Sequence, residues 1–160
     1  MSFYSAQPED LLFDAARKGD TAYIQQLIDK NINVNIQNGK GFTPLIVAAY
    51  DGHIDATKML LAAGADVNVQ DVSGNTALMG VCFKGYADIA RLLIEHGADL
   101  NLQNGNGGTA LMFATLFGRN QLVKLMLEAG ADTSIRDVRG LTARDLAIQQ
   151  DNEEALTMLP

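Results

Sequence analysis

Apolar residues recur along this chain at the spacing of short helices. One series, Ile54, Thr57, Leu60 and Leu61, returns as Ala87, Ala90, Leu93 and Ile94 and in part as Val123, Met126 and Leu127. Residues three and four positions apart lie on one face of an α-helix, so each series predicts a helix with one buried face. The stretches between these faces are polar or rich in glycine. We therefore predict an all-α protein whose helices share one core.

Four glycines reveal the period of the chain. Gly41, Gly74, Gly107 and Gly140 lie 33 residues apart, and the residues between them keep register. A fixed period of this length is typical of stacked repeats. The stretch before Gly41 fits the same frame, and no linker interrupts it. We therefore predict one domain over residues 1–160, built of units 8–40, 41–73, 74–106, 107–139 and a truncated 140–160.

Each unit is predicted to hold two short helices and a turn. A threonine hydroxyl can cap the start of the first helix, and a glycine in the left-handed conformation can end either helix. The candidate caps are Thr43, Thr76, Thr109 and Thr142; the helix-ending glycines are Gly52, Gly85 and Gly118, then Gly64, Gly97 and Gly130. Turn-forming residues such as Asp71-Val72-Ser73-Gly74 predict a projecting, β-hairpin-like turn between units.

Several short motifs of the second unit resemble the ankyrin repeat. They are Thr43-Pro44-Leu45, Ala48-Ala49, Gly52-His53, Leu60-Leu61 and Gly64-Ala65-Asp66-Val67-Asn68. The resemblance covers Pro8 to Leu159 and implies an ankyrin-repeat solenoid of about five helix-turn-helix units. One departure is that the family's histidine after Thr-Pro-Leu is replaced by Ile46, Met79 and Met112.

The two end units are predicted to be caps. One repeat cannot bury its own apolar face, so the ends of an array need polar outer surfaces. The first unit carries Arg17, Lys18 and Asp20, and the last carries a polar run over residues 149–154. In the last unit Arg144 occupies the position that leucine holds in the three units before it. This substitution suits a unit with nothing stacked beyond it.

The charge balance argues against two classes of partner. The chain has 12 Lys and Arg against 19 Asp and Glu, a net charge of -7. This is the wrong sign for contact with nucleic acid or with anionic lipid. No apolar run reaches the roughly 20 residues that span a bilayer, and the N-terminus lacks a signal-peptide pattern. We expect a soluble cytoplasmic protein; if a signal peptide has been removed, the periplasm is the alternative.

The titratable residues predict no catalytic or metal site. His53 and His96 are the only histidines, and each fits a structural place at the beginning or end of a helix. The sole cysteine, Cys82, occupies the position of Ala49 and is expected to be buried. Repeating aspartates belong to separate units, so they cannot converge on one ion. We therefore expect no enzyme activity, no cofactor and no metal.

Function is expected at positions that vary between units yet face solvent. In ankyrin arrays these are the exposed ends of the first helices and the turn tips, which line one surface, the concave face. The candidate protein-binding residues are Phe42, Tyr50, Asp51, Val72, Asn75, Phe83, Lys84, Leu116, Phe117 and Arg139. Their large apolar members predict a patch with a charged rim, as in protein interfaces. The alternative is that these side chains fold under the turns and complete the core.

The resulting hypothesis is a non-enzymatic module, monomeric on its own, that binds a partner protein through its concave face. The chain is similar to small bacterial ankyrin proteins, some of which are encoded beside catalases and assist them. An accessory role to a catalase, an inhibitor or immunity role against a toxin or enzyme, and homodimerisation through the same patch all fit these residues.

Overall fold

A computed structural model describes residues 7–160, and it contains two helices in each of the five units. The helices are α1 Pro8–Lys18, α2 Thr21–Asp29, α3 Pro44–Tyr50, α4 Ile54–Ala62, α5 Ala77–Lys84, α6 Ala87–Glu95, α7 Ala110–Leu116, α8 Asn120–Glu128, α9 Ala143–Gln149 and α10 Glu153–Met158. Over this range no residue lies in a β-strand. The predicted all-α repeat fold is confirmed.

Threonine caps start the first helix of four units, as predicted. The hydroxyl oxygens of Thr43, Thr76, Thr109 and Thr142 each accept the backbone N–H three residues on, at 3.2–3.3 Å. The first unit differs, because α1 begins at Pro8, three residues before the position that the repeat frame gives. Gln7 provides no side-chain cap there. A proline at the first helical position and two acidic residues in the first turn favour this earlier start.

The helices form two layers with the core between them. The first helices α1, α3, α5, α7 and α9 pack in sequence, and the second helices α2, α4, α6, α8 and α10 do the same. Equivalent leucines fill the core of successive units, and all are at most 1% exposed: Leu12, Leu45, Leu78 and Leu111. Arg144 takes this position in the last unit. It is exposed, and its guanidinium donates to the Leu159 carbonyl at 3.1 Å.

The turns stack on one another through their backbones. The Val72 N–H donates to the Lys40 carbonyl at 3.1 Å, and Gly105 and Val138 donate to the preceding turns at 2.9 and 3.0 Å. Gly74 has φ 83°, and a Cβ there would lie 2.9 Å from the backbone of Asn104. Glycine is therefore required at this position both for its backbone conformation and for the close approach of the next turn.

A second set of hydrogen bonds joins the units at the far ends of the second helices. The side-chain oxygens of Asn35, Asn68 and Asn101 accept the Asp66, Asp99 and Asp132 N–H groups at 2.7, 2.7 and 2.9 Å. In the fourth unit Ser134 stands in the position of these asparagines. Each of these bonds connects a unit only to the next one.

Candidate functional site: the concave face

Three aromatic rings from successive units form a continuous row on the concave face. Tyr50 ends α3, Phe83 lies near the end of α5, and Phe117 directly follows α7. The Tyr50 and Phe83 rings are parallel with centres 6.4 Å apart, and Phe83 meets Phe117 edge to face at 4.7 Å. We call these three residues the aromatic row. Each belongs to the same end of a first helix, so stacking of the repeats brings the rings together.

The two outer members of the aromatic row face solvent. Tyr50 is 40% exposed and Phe117 is 42% exposed, while Phe83 is half-buried between them. The alternative, that the rings complete the core, therefore does not describe Tyr50 and Phe117. Phe83 is intermediate, because its half-buried ring packs against both Tyr50 and Phe117.

Charged groups lie at the Tyr50 end of the row. The Lys84 ammonium nitrogen is 4.7 Å from the centre of the Tyr50 ring, a cation–π contact. Asp51 follows Tyr50 directly and is exposed. The result is an aromatic surface with one cation and one anion beside it.

A groove of about 460 Å³ opens beside the aromatic row, between the first helices and the turns. Phe42 and Asn75 are half-buried and line it, together with Tyr50, Asp51 and Phe83. Five of the ten predicted binding residues therefore meet at one groove. The groove is thus the part of the concave face where these five residues converge.

The remaining predicted residues lie further along the face or outside the groove. Leu116 is half-buried and borders a second cavity of about 290 Å³, which Arg139 also lines. Val72 is 76% exposed at a turn tip and contributes to neither cavity. The Arg139 guanidinium donates to the Asp137 carboxylate at 2.8 and 3.2 Å, so its charge is already paired.

Asp137, which lines the second cavity, and Asp145 in the following helix cap both have lowered pKa values. Burial alone would raise the pKa of Asp137, but hydrogen bonds from Arg139 and from the Leu141 N–H outweigh it, and the pKa is lowered. The pKa of Asp145 is lowered chiefly by the Thr142 N–H, which donates to it at 3.0 Å. Both carboxylates serve as hydrogen-bond acceptors in the turn and cap, which is a structural role.

Sequence reasoning missed Gly80, which lines the groove within α5. It also missed other lining residues, among them Arg17, Met79 and Phe113. A signal for Gly80 is visible in the sequence, since the equivalent positions one unit before and after hold Val47 and Phe113. A glycine inside a helix, where neighbouring units carry large side chains, marks a local opening.

The histidines and the cysteine have the structural places expected of them. His53 Nε2 lies 2.8 Å from the Arg17 carbonyl, and His96 Nδ1 lies 2.9 Å from the Leu92 carbonyl. Cys82 is fully buried, and this burial raises the pKa of its thiol to about 12. Among residues 7–160 no three His, Cys, Asp or Glu side chains cluster as metal ligands would. The same part of the chain holds no helix that is long and apolar enough to cross a membrane.

Comparison with known proteins agrees with this geometry. A family model of ankyrin repeats in three copies matches residues 12–104, more than half of the chain. The chain belongs to the ankyrin repeat family. A second ankyrin model, for many copies, matches residues 93–147. Ankyrin repeats are generally protein–protein interaction modules and are typically not enzymes.

A bacterial ankyrin repeat protein also matches part of this ankyrin chain. The protein is from Pseudomonas aeruginosa and is 38% identical over 48 residues. The match covers 30% of this chain and 28% of the relative, so it spans a little over a quarter of the relative's length. The likeness is therefore to a repeat scaffold.

Proposed function

We propose that this ankyrin protein binds a partner protein through its concave face, with the aromatic row at the centre of the contact. The observation that carries the proposal is the exposure of Tyr50 and Phe117 on either side of Phe83, with Tyr50 and Phe83 lining a groove. Large aromatic side chains that anchor in well-packed contacts contribute most of the energy of protein interfaces. The module acts by docking, not by catalysis.

The repeat scaffold itself does not require rings at these positions. The position of Tyr50 holds Arg17 in the first unit and Gln149 in the last, with Phe83 and Leu116 between them. The position therefore varies in chemistry while the fold stays the same. A rigid array also loses little conformational freedom when it binds, which favours affinity.

The test uses a double variant of the two exposed rings, Tyr50→Asp with Phe117→Asp. Phe83 is left in place, because its half-buried ring also forms part of the groove wall. We expect binding to weaken by about tenfold or more, since each change removes an interface anchor. The measurement is affinity capture from the native cell with mass spectrometry, followed by binding of the purified captured protein.

A matched control adds the same charge elsewhere. Gln26→Asp with Gln121→Asp places two carboxylates on exposed positions of α2 and α8, in the layer of second helices. Circular dichroism and thermal melting establish that all three proteins are folded. A partner kept by the control and lost by the ring variant supports the proposal. A partner that binds all three proteins equally well would place the contact on another surface.

A further inference from the structure

Gly80 stands at a position where the repeat fold does not need glycine. It lies inside α5, and its backbone is helical. Glycine in a helix interior costs stability relative to almost every other residue. The equivalent residues of the other units are Asp14, Val47, Phe113 and Leu146. The missing side chain therefore points to a need for space on the concave face.

The Tyr50 ring takes part of this space. A Cβ added to Gly80 would lie 3.1 Å from Tyr50 Cδ1, closer than most contacts of real Cβ atoms. The absence of a side chain allows Tyr50 to lie against α5. Gly80 also lines the groove of about 460 Å³, a size within the roughly 300–1,000 Å³ of ligand pockets.

The walls of the groove are suited to an aromatic side chain. Phe42, Tyr50, Phe83 and Phe113 line it, and buried Met79 contributes as well. Rings favour edge-to-face and offset contacts with other rings, and methionine sulfur also packs well against them. A flat aromatic side chain can use all of these walls at once.

Two carboxylates line the groove, those of Asp51 and Asp71. Asp51 is exposed, and its carboxylate makes no hydrogen bond or ion pair within the described part of the chain. Arg17, also on the rim, is paired with Asp14 at 3.0 Å. Asp71 Oδ1 accepts two N–H groups of its own turn, and Lys84 is held over the Tyr50 ring. Together with the net charge of -7, Asp51 favours a cation on the partner.

We propose that the groove beside Gly80 receives one aromatic side chain of the partner protein, and that Asp51 binds a lysine or arginine next to it. This inference rests on the proposed function and names the chemistry of the partner. The recognised segment is basic and carries an aromatic residue. Gly80 is then a specificity-determining residue, because it sets how much space the aromatic side chain has.

A random peptide library displayed on phage tests this inference, and the identity of the partner is not needed. The 160-residue chain is the bait, and selected sequences are synthesised and measured by fluorescence anisotropy. We expect the selected peptides to share an aromatic residue beside a Lys or Arg. Gly80→Val should weaken their binding by about tenfold or more, because the valine takes the space of the anchor. Gly80→Ala should have a smaller effect in the same direction.

The charge on the rim is tested separately. Asp51→Lys should weaken binding of the basic peptides by about threefold to tenfold, and added salt should reduce the difference, as for an exposed ion pair. Glu95→Lys, an equal charge change at the exposed end of α6, is the matched control. Gly39→Ala is the control for glycine replacement, since no atom lies within 4 Å of the added Cβ. Both controls should bind like the wild type.

The outcomes separate this inference from the proposed function. Peptides that lose binding with Tyr50→Asp and Phe117→Asp, but bind Gly80→Val normally, would overturn the inference and leave the proposed function standing. Selected peptides that are acidic, or that lack an aromatic residue, would also overturn it. Peptides unaffected by any concave-face variant would contradict both. Failure to enrich any peptide on the wild type over Gly80→Val would count against the inference.

Discussion

At the scale of single residues, one acceptor side chain organises each turn. Asp137 Oδ1 accepts the Arg139 and Leu141 N–H groups at 2.9 and 3.0 Å. Asn38 and Asn104 do the same in two other turns with an uncharged amide. The geometry of the turn therefore requires a side-chain oxygen that accepts these N–H groups, and this oxygen can be neutral or charged. Only turns with an aspartate, such as Asp137, can change their charge with pH.

We expect Asp137→Asn to make the protein less sensitive to acid. The folded pKa of Asp137 is lowered, so its charge stabilises the fold above the unfolded pKa of about 3.9, and this contribution is lost as the pH falls through the folded pKa. Melting temperatures at pH 7 and pH 3 should therefore differ less in the variant than in the wild type. Asp137→Ala removes the acceptor and should melt lower at both values. If the melting temperature of Asp137→Asn fell by as much as that of the wild type between pH 7 and pH 3, the Asp137 charge would not contribute to the acid sensitivity.

The residue scale is also where sequence reasoning reaches its limit. The helical spacing correctly predicted that Leu60 and Leu93 are buried, and the variation between units correctly predicted that Tyr50 and Phe117 face solvent. Neither pattern revealed that Tyr50 lies against α5, because that contact depends on an absent side chain in the next unit, at Gly80. Side-chain direction at an exposed helix end is decided by such neighbours and not by periodicity.

At the scale of secondary-structure elements, the turns differ in how closely a neighbour covers them. Gly74 and Gly140 have the same φ of 83°. A Cβ on Gly74 would meet the next turn's backbone at 2.9 Å, whereas one on Gly140 has nothing within 4 Å. Gly74, inside the array, is therefore required both for its left-handed conformation and for the close approach of the next turn. Gly140, at the end of the array, is required only for its left-handed conformation.

These two glycines provide a matched pair for measurement. Gly140→Ala should lower stability by about 1–2 kcal/mol, the cost of a left-handed conformation for a residue with a Cβ. Gly74→Ala should cost more, because the backbone of the following turn must also move. Chemical denaturation followed by circular dichroism gives both values. Equal losses in the two variants would show that turn-to-turn packing contributes little.

At the scale of the whole molecule, the sequence predicted the array more fully than the binding surface. A period of 33 residues is imposed by repeated packing contacts, so it is visible in one chain. The groove has no such periodicity, because its shape comes from differences between units, such as Gly80 against Phe113. The early start of α1 at Pro8 was also invisible to the repeat frame. The repeated residues therefore predict the fold, whereas the shape of the candidate binding groove depends on residues that differ between units.

Deletion of one internal unit tests how local the packing is. Removal of residues 74–106 should leave a folded protein, because α3 and α4 would meet α7 and α8 through surfaces equivalent to those they meet now. We expect the same helical signal per residue and a lower denaturation midpoint, since one interface between units is lost. Denaturation followed by circular dichroism measures both. A variant without cooperative unfolding would show that the units are not interchangeable.

The hydrogen bonds from each asparagine at the end of a unit reach only the unit that follows. Because these hydrogen bonds join neighbouring units only, none of them depends on the total number of units in the array. Its copy number can thus change by a single duplication or loss within the gene, without redesign of the remaining repeats. Each such event would lengthen or shorten the recognition surface by one module. New partner preferences could then arise through changes in length as well as through substitution of individual side chains.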